Sequence, residues 1–290
     1  MFEGSIVAIV TPFKNGHVDE QALGKLIEWH IAEGTRGIVP CGTTGESATL
    51  EYDEHYRVIQ CAIEVVNKRV PVIAGTGANS TSETIEMTKK AKALGADGSL
   101  LVCPYYNKPT QEGVYRHYKA IAEAVDIPIV LYNVPGRTAL NILPSTVARL
   151  SEVKNIVAIK EATGDMKQAT EIFRLCGDNI TVLSGDDFTT FTLMALGGKG
   201  AISVSGNVMP KESSQMCELL LKGKYDEARK IHYLLDPLNI SMFIETNPIP
   251  VKTALSLMGR INEEFRLPLC EMAAANKQKL KDVLAKLGLI

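Results

Sequence analysis

Residues 156–163 read Ile156-Val157-Ala158-Ile159-Lys160-Glu161-Ala162-Thr163. Four of the first five are apolar, and three of those are β-branched. Such a run predicts a parallel strand buried on both faces. Lys160 ends it. Taking a lysine out of water disfavours the ammonium form, and a free amine is a nucleophile that forms a Schiff base with a carbonyl compound. A lysine at a strand end also commonly snorkels to solvent, so the strand alone leaves both readings open.

Working outward, strands and helices alternate along the chain. Apolar, β-rich runs are expected as strands at 5–10, 37–40, 70–75, 98–102, 129–132, 156–160, 181–184 and 201–204. Helical periodicity follows each of the first seven, at 19–33, 49–67, up to Leu94, 111–125, 144–150, 166–176 and 188–196. Thr49 and Thr110 are expected N-caps. Ser80 with Glu83 has the spacing of a capping box. Eight strand–helix units predict a (β/α)8 TIM barrel, because a doubly wound sheet rarely sustains eight. Beyond Ser205 the pattern turns all-helical, at 211–221, 225–235, 245–258 and 271–287. The first of these completes the barrel. The division expected is a catalytic barrel over 1–223 and a C-terminal all-helical extension over 224–290.

The 290 residues are 46% hydrophobic and 22% charged, with a formal net charge of −2. That is the composition of a globular protein with a real core, and it carries no electrostatic signature of a nucleic-acid or anionic-membrane partner. Residues 1–10 lack the basic start and cleavage pattern of a signal peptide. Cys41, Cys61, Cys103, Cys176, Cys217 and Cys270 are widely and irregularly spaced, with no C-x-x-C pair. They are expected as reduced thiols in a cytoplasmic protein, and neither they nor the histidines have a metal-ligand spacing.

In a TIM barrel the chemistry belongs at the C-terminal ends of the strands. Among those ends only one carries a lysine, Lys160, which favours the nucleophile over the snorkel. Strand two ends in Cys41-Gly42-Thr43-Thr44-Gly45-Glu46. Glycines flanking two threonines let backbone N–H groups approach a small carboxylate, although a plain tight turn has the same composition. Tyr105, Tyr106 and Tyr132 stand at strand ends, where hydroxyls can move protons or merely pack. Arg137, in a Pro-Gly-Arg-Thr loop, has the fork to hold a second carboxylate. Its plain alternative is a surface arginine.

Cys-Gly-Thr-Thr-Gly-Glu-Ser at 41–47, Pro-Tyr-Tyr-Asn at 104–107, Tyr-Asn-Val-Pro-Gly-Arg-Thr at 132–138, Ile-Lys-Glu-Ala-Thr at 159–163 and Asn-Pro-Ile-Pro-Val-Lys at 247–252 resemble the dihydrodipicolinate synthase family of pyruvate-dependent aldolases. The likeness runs from Phe2 to the end. The glycine-loop and lysine motifs are shared with relatives such as N-acetylneuraminate lyase, whereas the Asn-Val-Pro-Gly-Arg-Thr loop marks the synthase. The resemblance implies condensation of pyruvate with L-aspartate 4-semialdehyde towards diaminopimelate and lysine. Lys160 would carry pyruvate as an imine, with no cofactor and no metal. Tyr132 would transfer protons, and Thr43 would link it to Tyr106. The N–H groups of Thr43 and Thr44 would hold the pyruvate carboxylate, and Arg137 that of the aldehyde. Gly185 and the carbonyl of Ile202 would line the pocket. The resemblance also implies a homo-oligomer, a tetramer of tight dimers in which Tyr106 enters the neighbour's site. An L-lysine effector would sit among Ser47, Ala48, Tyr52, His55, Asn79, Glu83 and Tyr105. Tyr52 departs from the histidine of some lysine-sensitive relatives. The rival readings are another aldolase of the superfamily and a non-catalytic keto-acid-binding regulator.

Overall fold

A computed structural model describes residues 2–290. Eight strands, β1 (Gly4–Ala8), β2 (Gly37–Val39), β3 (Ile73–Gly75), β4 (Gly98–Val102), β5 (Ile129–Asn133), β6 (Ile156–Glu161), β7 (Thr181–Ser184) and β8 (Gly200–Ser203), form one parallel sheet. Its order is β2-β1-β8-β7-β6-β5-β4-β3. The two outer strands meet through the Ile38–Val72 bridge and a 3.0 Å bond from the Gly75 N–H to the Pro40 carbonyl. The barrel is thereby closed and leaves no long edge. Between and after the strands run α1 (Glu20–Ala32), α2 (Tyr52–Val66), α3 (Thr81–Leu94), α4 (Gln111–Ala124), α5 (Pro144–Ser151), α6 (Met166–Cys176), α7 (Thr190–Ala195) and α8 (Pro210–Leu221).

Side chains alternate between the two faces of each strand. Ile6, Ala8, Val39, Ile73, Leu100, Val130, Ala158, Leu183 and Ile202 cluster inside the barrel, with Phe2. The opposite faces, among them Leu101, Ile129, Leu131, Ile159 and Val182, pack against the helices. Three further helices, α9 (Tyr225–Met242), α10 (Ile249–Leu257) and α11 (Ala274–Lys286), bury Leu235, Leu238, Val251, Leu255, Leu280 and Leu284 in the same apolar cluster as Leu23, Ile27 and Val58.

Several local expectations need correction. Thr49 does not cap α2. It closes a short 3-10 turn, Ser47–Thr49, and α2 starts at Tyr52 with a reciprocal box between Glu51 and Glu54. The Ser80–Glu83 box is half made: Ser80 accepts from the Glu83 N–H, but the Glu83 carboxylate takes the Tyr52 hydroxyl instead. The helix expected at 225–235 continues to Met242 through Pro237, carried by the buried Leu238 and Met242. The segment expected as helix from 245 begins only at Ile249. A hairpin of Phe13–Lys14 with His17–Val18 turns on Asn15-Gly16, both with positive φ. Asn-Gly between two such runs is a strong hairpin signal.

The buried histidines give the fold a pH dependence. Burial, with repulsion from Arg260, pushes His30 down to about 3, and burial pushes His117 down to about 4. An unfolded chain protonates these rings near ~6.5. From there down to the folded values the unfolded state binds more protons, so stability is full above about pH 6.5 and falls as the pH drops, by up to ~1.4 kcal/mol per pH unit per ring. Urea unfolding at fixed temperature should show a steady unfolding free energy from pH 8 to 7 and a decline from pH 6.5 to 5. A flat profile across that window would contradict the burial of both rings.

Candidate active site

β5 and β6 are neighbours in the barrel, in a register that sets Tyr132 beside Lys160 and Asn133 beside Glu161. Lys160 follows Ala158 on the inward face, at the C-terminal end of its strand. It is 5% exposed, and its Nζ lies 4.2 Å from the centroid of the Tyr132 ring. Among the described residues it makes no ion pair. Gly185, just past β7, is what gives the lysine its room. A Cβ there would lie 2.8 Å from Lys160 Cγ, 2.9 Å from Cε and 2.7 Å from Ala162 Cβ. The Gly185 N–H is itself fixed on the Glu161 carbonyl at 2.7 Å.

The loop after β2 bends between Cys41 and Glu46, both at φ 55°, a left-handed conformation unusual for residues with side chains. The N–H groups of Gly45 and Glu46 turn back onto the carbonyls of Gly42 and Thr43 at 3.0 and 3.1 Å. Those of Thr43 and Thr44 donate to no acceptor among the described residues. What holds the bend is the Glu46 side chain. Its carboxylate is wholly buried against the ammonium of Lys252 on α10, and it also accepts the Arg266 N–H at 3.2 Å. Burial pushes the Lys252 amine below its ordinary value, and the Glu46 charge pulls it back up. The Lys252 Nζ also lies 4.2 Å from the Phe13 ring centroid.

Asn247 joins this loop to the opposite wall. Its Nδ2 donates to Thr44 Oγ1 at 3.0 Å, and its carbonyl accepts from Arg137 Nη2 at 3.1 Å. Arg137 rides on a single helical turn, Pro135–Thr138. Thr43, Tyr132, Arg137 and Asn247 line one pocket of ≈ 530 Å³. Lys160 and Gly185 do not line it, and the Lys160 amine packs against the ring of Tyr132, which does. Thr44 and Ile202 are buried and do not line it.

Ser47, Ala48, Tyr52, His55, Glu83 and Tyr105 line the same pocket. The Tyr52 hydroxyl donates to Glu83 Oε1 at 2.6 Å, and that carboxylate pushes the phenol up to about 12. His55 is buried, with Nε2 2.8 Å from the Gly75 carbonyl. Burial lowers its pKa, so the neutral ring carries its proton on Nε2 and presents Nδ1 as an acceptor. Asn79 stands off the wall and donates to the Tyr105 carbonyl at 3.2 Å. Tyr106 is not brought in: it is 90% exposed, on a backbone at φ 70°.

Asn247, Lys252, Arg266 and the structural use of Glu46 were not assigned a role from the sequence. The available signal was Lys252 itself, a charge inside the apolar run Pro248–Leu257. Replacing Lys252 by Met leaves the Glu46 charge buried without a partner, which should cost about 3–5 kcal/mol in chemical denaturation. The double replacement Glu46→Gln with Lys252→Met should recover most of that loss. Additive losses would mean that the two side chains act independently.

A buried lysine, a tyrosine over it, a loop with unengaged N–H groups and a nearby arginine at the mouth of a (β/α)8 barrel agree with what the chain is similar to. The model of the dihydrodipicolinate synthetase family matches residues 1–287. The 4-hydroxy-tetrahydrodipicolinate synthase of Thermodesulfovibrio yellowstonii is 69% identical over 290 residues, the full length of both chains. The chloride-inhibited dihydrodipicolinate synthase of Acinetobacter baumannii, solved in complex with pyruvate, superposes with a TM-score of 0.99 at 51% identity, covering 100% of both chains. A dihydrodipicolinate synthase from Cyanidioschyzon merolae with lysine bound superposes at 0.96 with 42% identity, covering 100% of this chain and 99% of that one. With motifs, barrel and full-length relatives in agreement, the chain belongs to the dihydrodipicolinate synthetase family.

Proposed function

We propose that the chain is a lyase that condenses pyruvate with L-aspartate 4-semialdehyde to 4-hydroxy-tetrahydrodipicolinate. The observation that carries this reading is Lys160, buried at a strand end without a carboxylate partner and packed against Tyr132. Its amine attacks C2 of pyruvate and water leaves, forming an imine. The imine is an electron sink, so a proton leaves the methyl carbon and an enamine results. The enamine carbon attacks the aldehyde carbon, and the new alkoxide takes a proton. The amino group of the second substrate then attacks the imine carbon, closing the ring and returning Lys160 as an amine. The balance is one water released per turnover.

The Tyr132 ring packs against the Lys160 amine, and its hydroxyl is our candidate for moving the protons, with Thr43 on the same pocket wall. The unengaged N–H groups of Thr43 and Thr44 suit the pyruvate carboxylate, and Arg137, across the pocket, suits that of the aldehyde. Two acids react, and the pocket offers two candidate anion sites. Borohydride added with pyruvate should reduce one imine onto the chain at Lys160, read by peptide mass spectrometry. Lys160→Arg should abolish the adduct, since a guanidinium stays protonated. Label on any other lysine would overturn the assignment.

We also read the Tyr52–Glu83 half of the pocket as the place for an L-lysine effector, with Glu83 on its α-ammonium and Asn79 and Tyr105 near its carboxylate. The exposure and strained backbone of Tyr106 support a second copy of the chain covering that residue and completing the site. Tyr52 already occupies Glu83, so the effector must displace a hydroxyl. A lysine titration of activity should therefore show inhibition that Glu83→Ala removes, with the protein sedimenting as a dimer or larger. Full activity in millimolar lysine would remove the effector site, and a fully active monomer would remove the second copy.

A further inference from the structure

The outward faces of the two strand ends that carry Tyr132 and Lys160 are joined by a buried polar network that lies outside the pocket. Asn133 and Glu161 are the next residues on each strand and pair in register. Asn133 is fully buried and Glu161 is 1% exposed. Asn133 Nδ2 donates to Glu161 Oε2 at 3.1 Å and to Asn141 Oδ1 at 2.8 Å. Gln168, on α6, donates through Nε2 to Asn141 Oδ1 at 3.1 Å and to Glu161 Oε2 at 3.3 Å, and its Oε1 accepts from Asn141 Nδ2 at 2.7 Å. The other Glu161 oxygen takes the Thr163 N–H at 2.8 Å. Every partner of the carboxylate is a donor, as a buried carboxylate requires.

This network pins both ends of a single loop. Asn133 Oδ1 accepts the Ile142 N–H at 3.0 Å, so the chain leaves β5 at Asn133 and is caught again at Asn141 and Ile142. Residues 134–140 are closed into a small loop with Arg137 at its middle. Within it Thr138 Oγ1 donates to the Leu140 carbonyl at 2.9 Å. At its far end Gln111 of α4 donates to the Asn141 carbonyl at 2.7 Å and accepts the Leu143 N–H at 3.1 Å. The position of an exposed arginine is thus set by buried amides tied to the residue next to Lys160.

We propose that Asn133, Asn141, Gln168 and Glu161 are positioning residues for the Arg137 turn and set the reach of the site for an aldehyde that carries a carboxylate. This rests on the reading of Arg137 given above. Gln168 does not line the pocket, yet its loss removes two of the three side-chain hydrogen bonds of Asn141 and one of the two on Glu161 Oε2, leaving only those from Asn133. The use of the second substrate should then fall while imine formation with pyruvate persists.

The test is a double-mutant cycle of Gln168→Leu with Arg137→Ala in the full chain. The readouts are kcat/KM for aspartate semialdehyde and the rate of the borohydride-trapped pyruvate adduct. Gln168→Leu alone should lower kcat/KM for the aldehyde about tenfold and leave adduct formation within about twofold. In the Arg137→Ala background it should cause no further loss, because the residue through which it acts is gone. Losses that multiply, or an adduct rate that falls in parallel, would overturn the proposal, since general loosening of the fold produces either. Arg137→Ala without effect on the aldehyde would fail the reading of Arg137 itself and the proposal with it. That outcome is recognised from the single variant. If Gln168→Leu does not fold, Asn141→Ser carries the same cycle.

Discussion

The buried contact between Glu46 and Lys252 is the constraint on which the site depends. The loop after the second strand must turn sharply enough to leave the Thr43 and Thr44 N–H groups free. It does so with two side-chain-bearing residues, Cys41 and Glu46, in left-handed backbone. Residues in that region cost on the order of 1–3 kcal/mol each unless their surroundings over-determine them. Here they are over-determined, because Glu46 is locked to a lysine on a helix two hundred residues further along and to the Arg266 backbone. A buried ion pair is weak support for overall stability. Its use here is to specify one backbone shape for the turn that leaves the Thr43 and Thr44 N–H groups unengaged.

Two lysines are buried near the barrel mouth, and their fates differ because of their neighbours. Lys252 faces a carboxylate and two aromatic rings, so its ammonium is a structural cation. Lys160 faces a phenol ring and packs its own stem where Gly185 lacks a side chain. Burial alone makes neither one a nucleophile. The absence of a carboxylate partner at Lys160 distinguishes it chemically from Lys252, while Gly185 makes room for the lysine's own stem.

The barrel was legible because its signal is periodic and repeated. Eight apolar runs interrupted by helical ones leave few alternatives, and their placement follows from strand-end residues such as Pro104, Asn133 and Lys160. Contacts between distant segments were not legible. Nothing local in Glu46 says that it meets Lys252, and nothing local in Asn247 says that it bridges Thr44 and Arg137. Local competition was misread for the same reason: Glu83 has the spacing to cap its own helix, but the Tyr52 hydroxyl from the preceding helix is a stronger claimant. The Asn15-Gly16 hairpin was a purely local signal and was within reach.

The long reach of the Glu46 contact has a consequence for how the molecule matures on the ribosome. All eight strands have been synthesised by Ser203, and β1 can pair with β8 once that strand is clear of the ribosome. A nascent chain stopped at residue 250 therefore contains every barrel strand, Lys160, Tyr132 and Arg137, and still has no partner for Glu46. Domains generally form as units during synthesis, but the turn between Cys41 and Glu46 receives its fastening only when α10 has been made. Architecture is available early and the fixed loop late, so a partly synthesised barrel holds Lys160 before the loop after β2 has its final fastening.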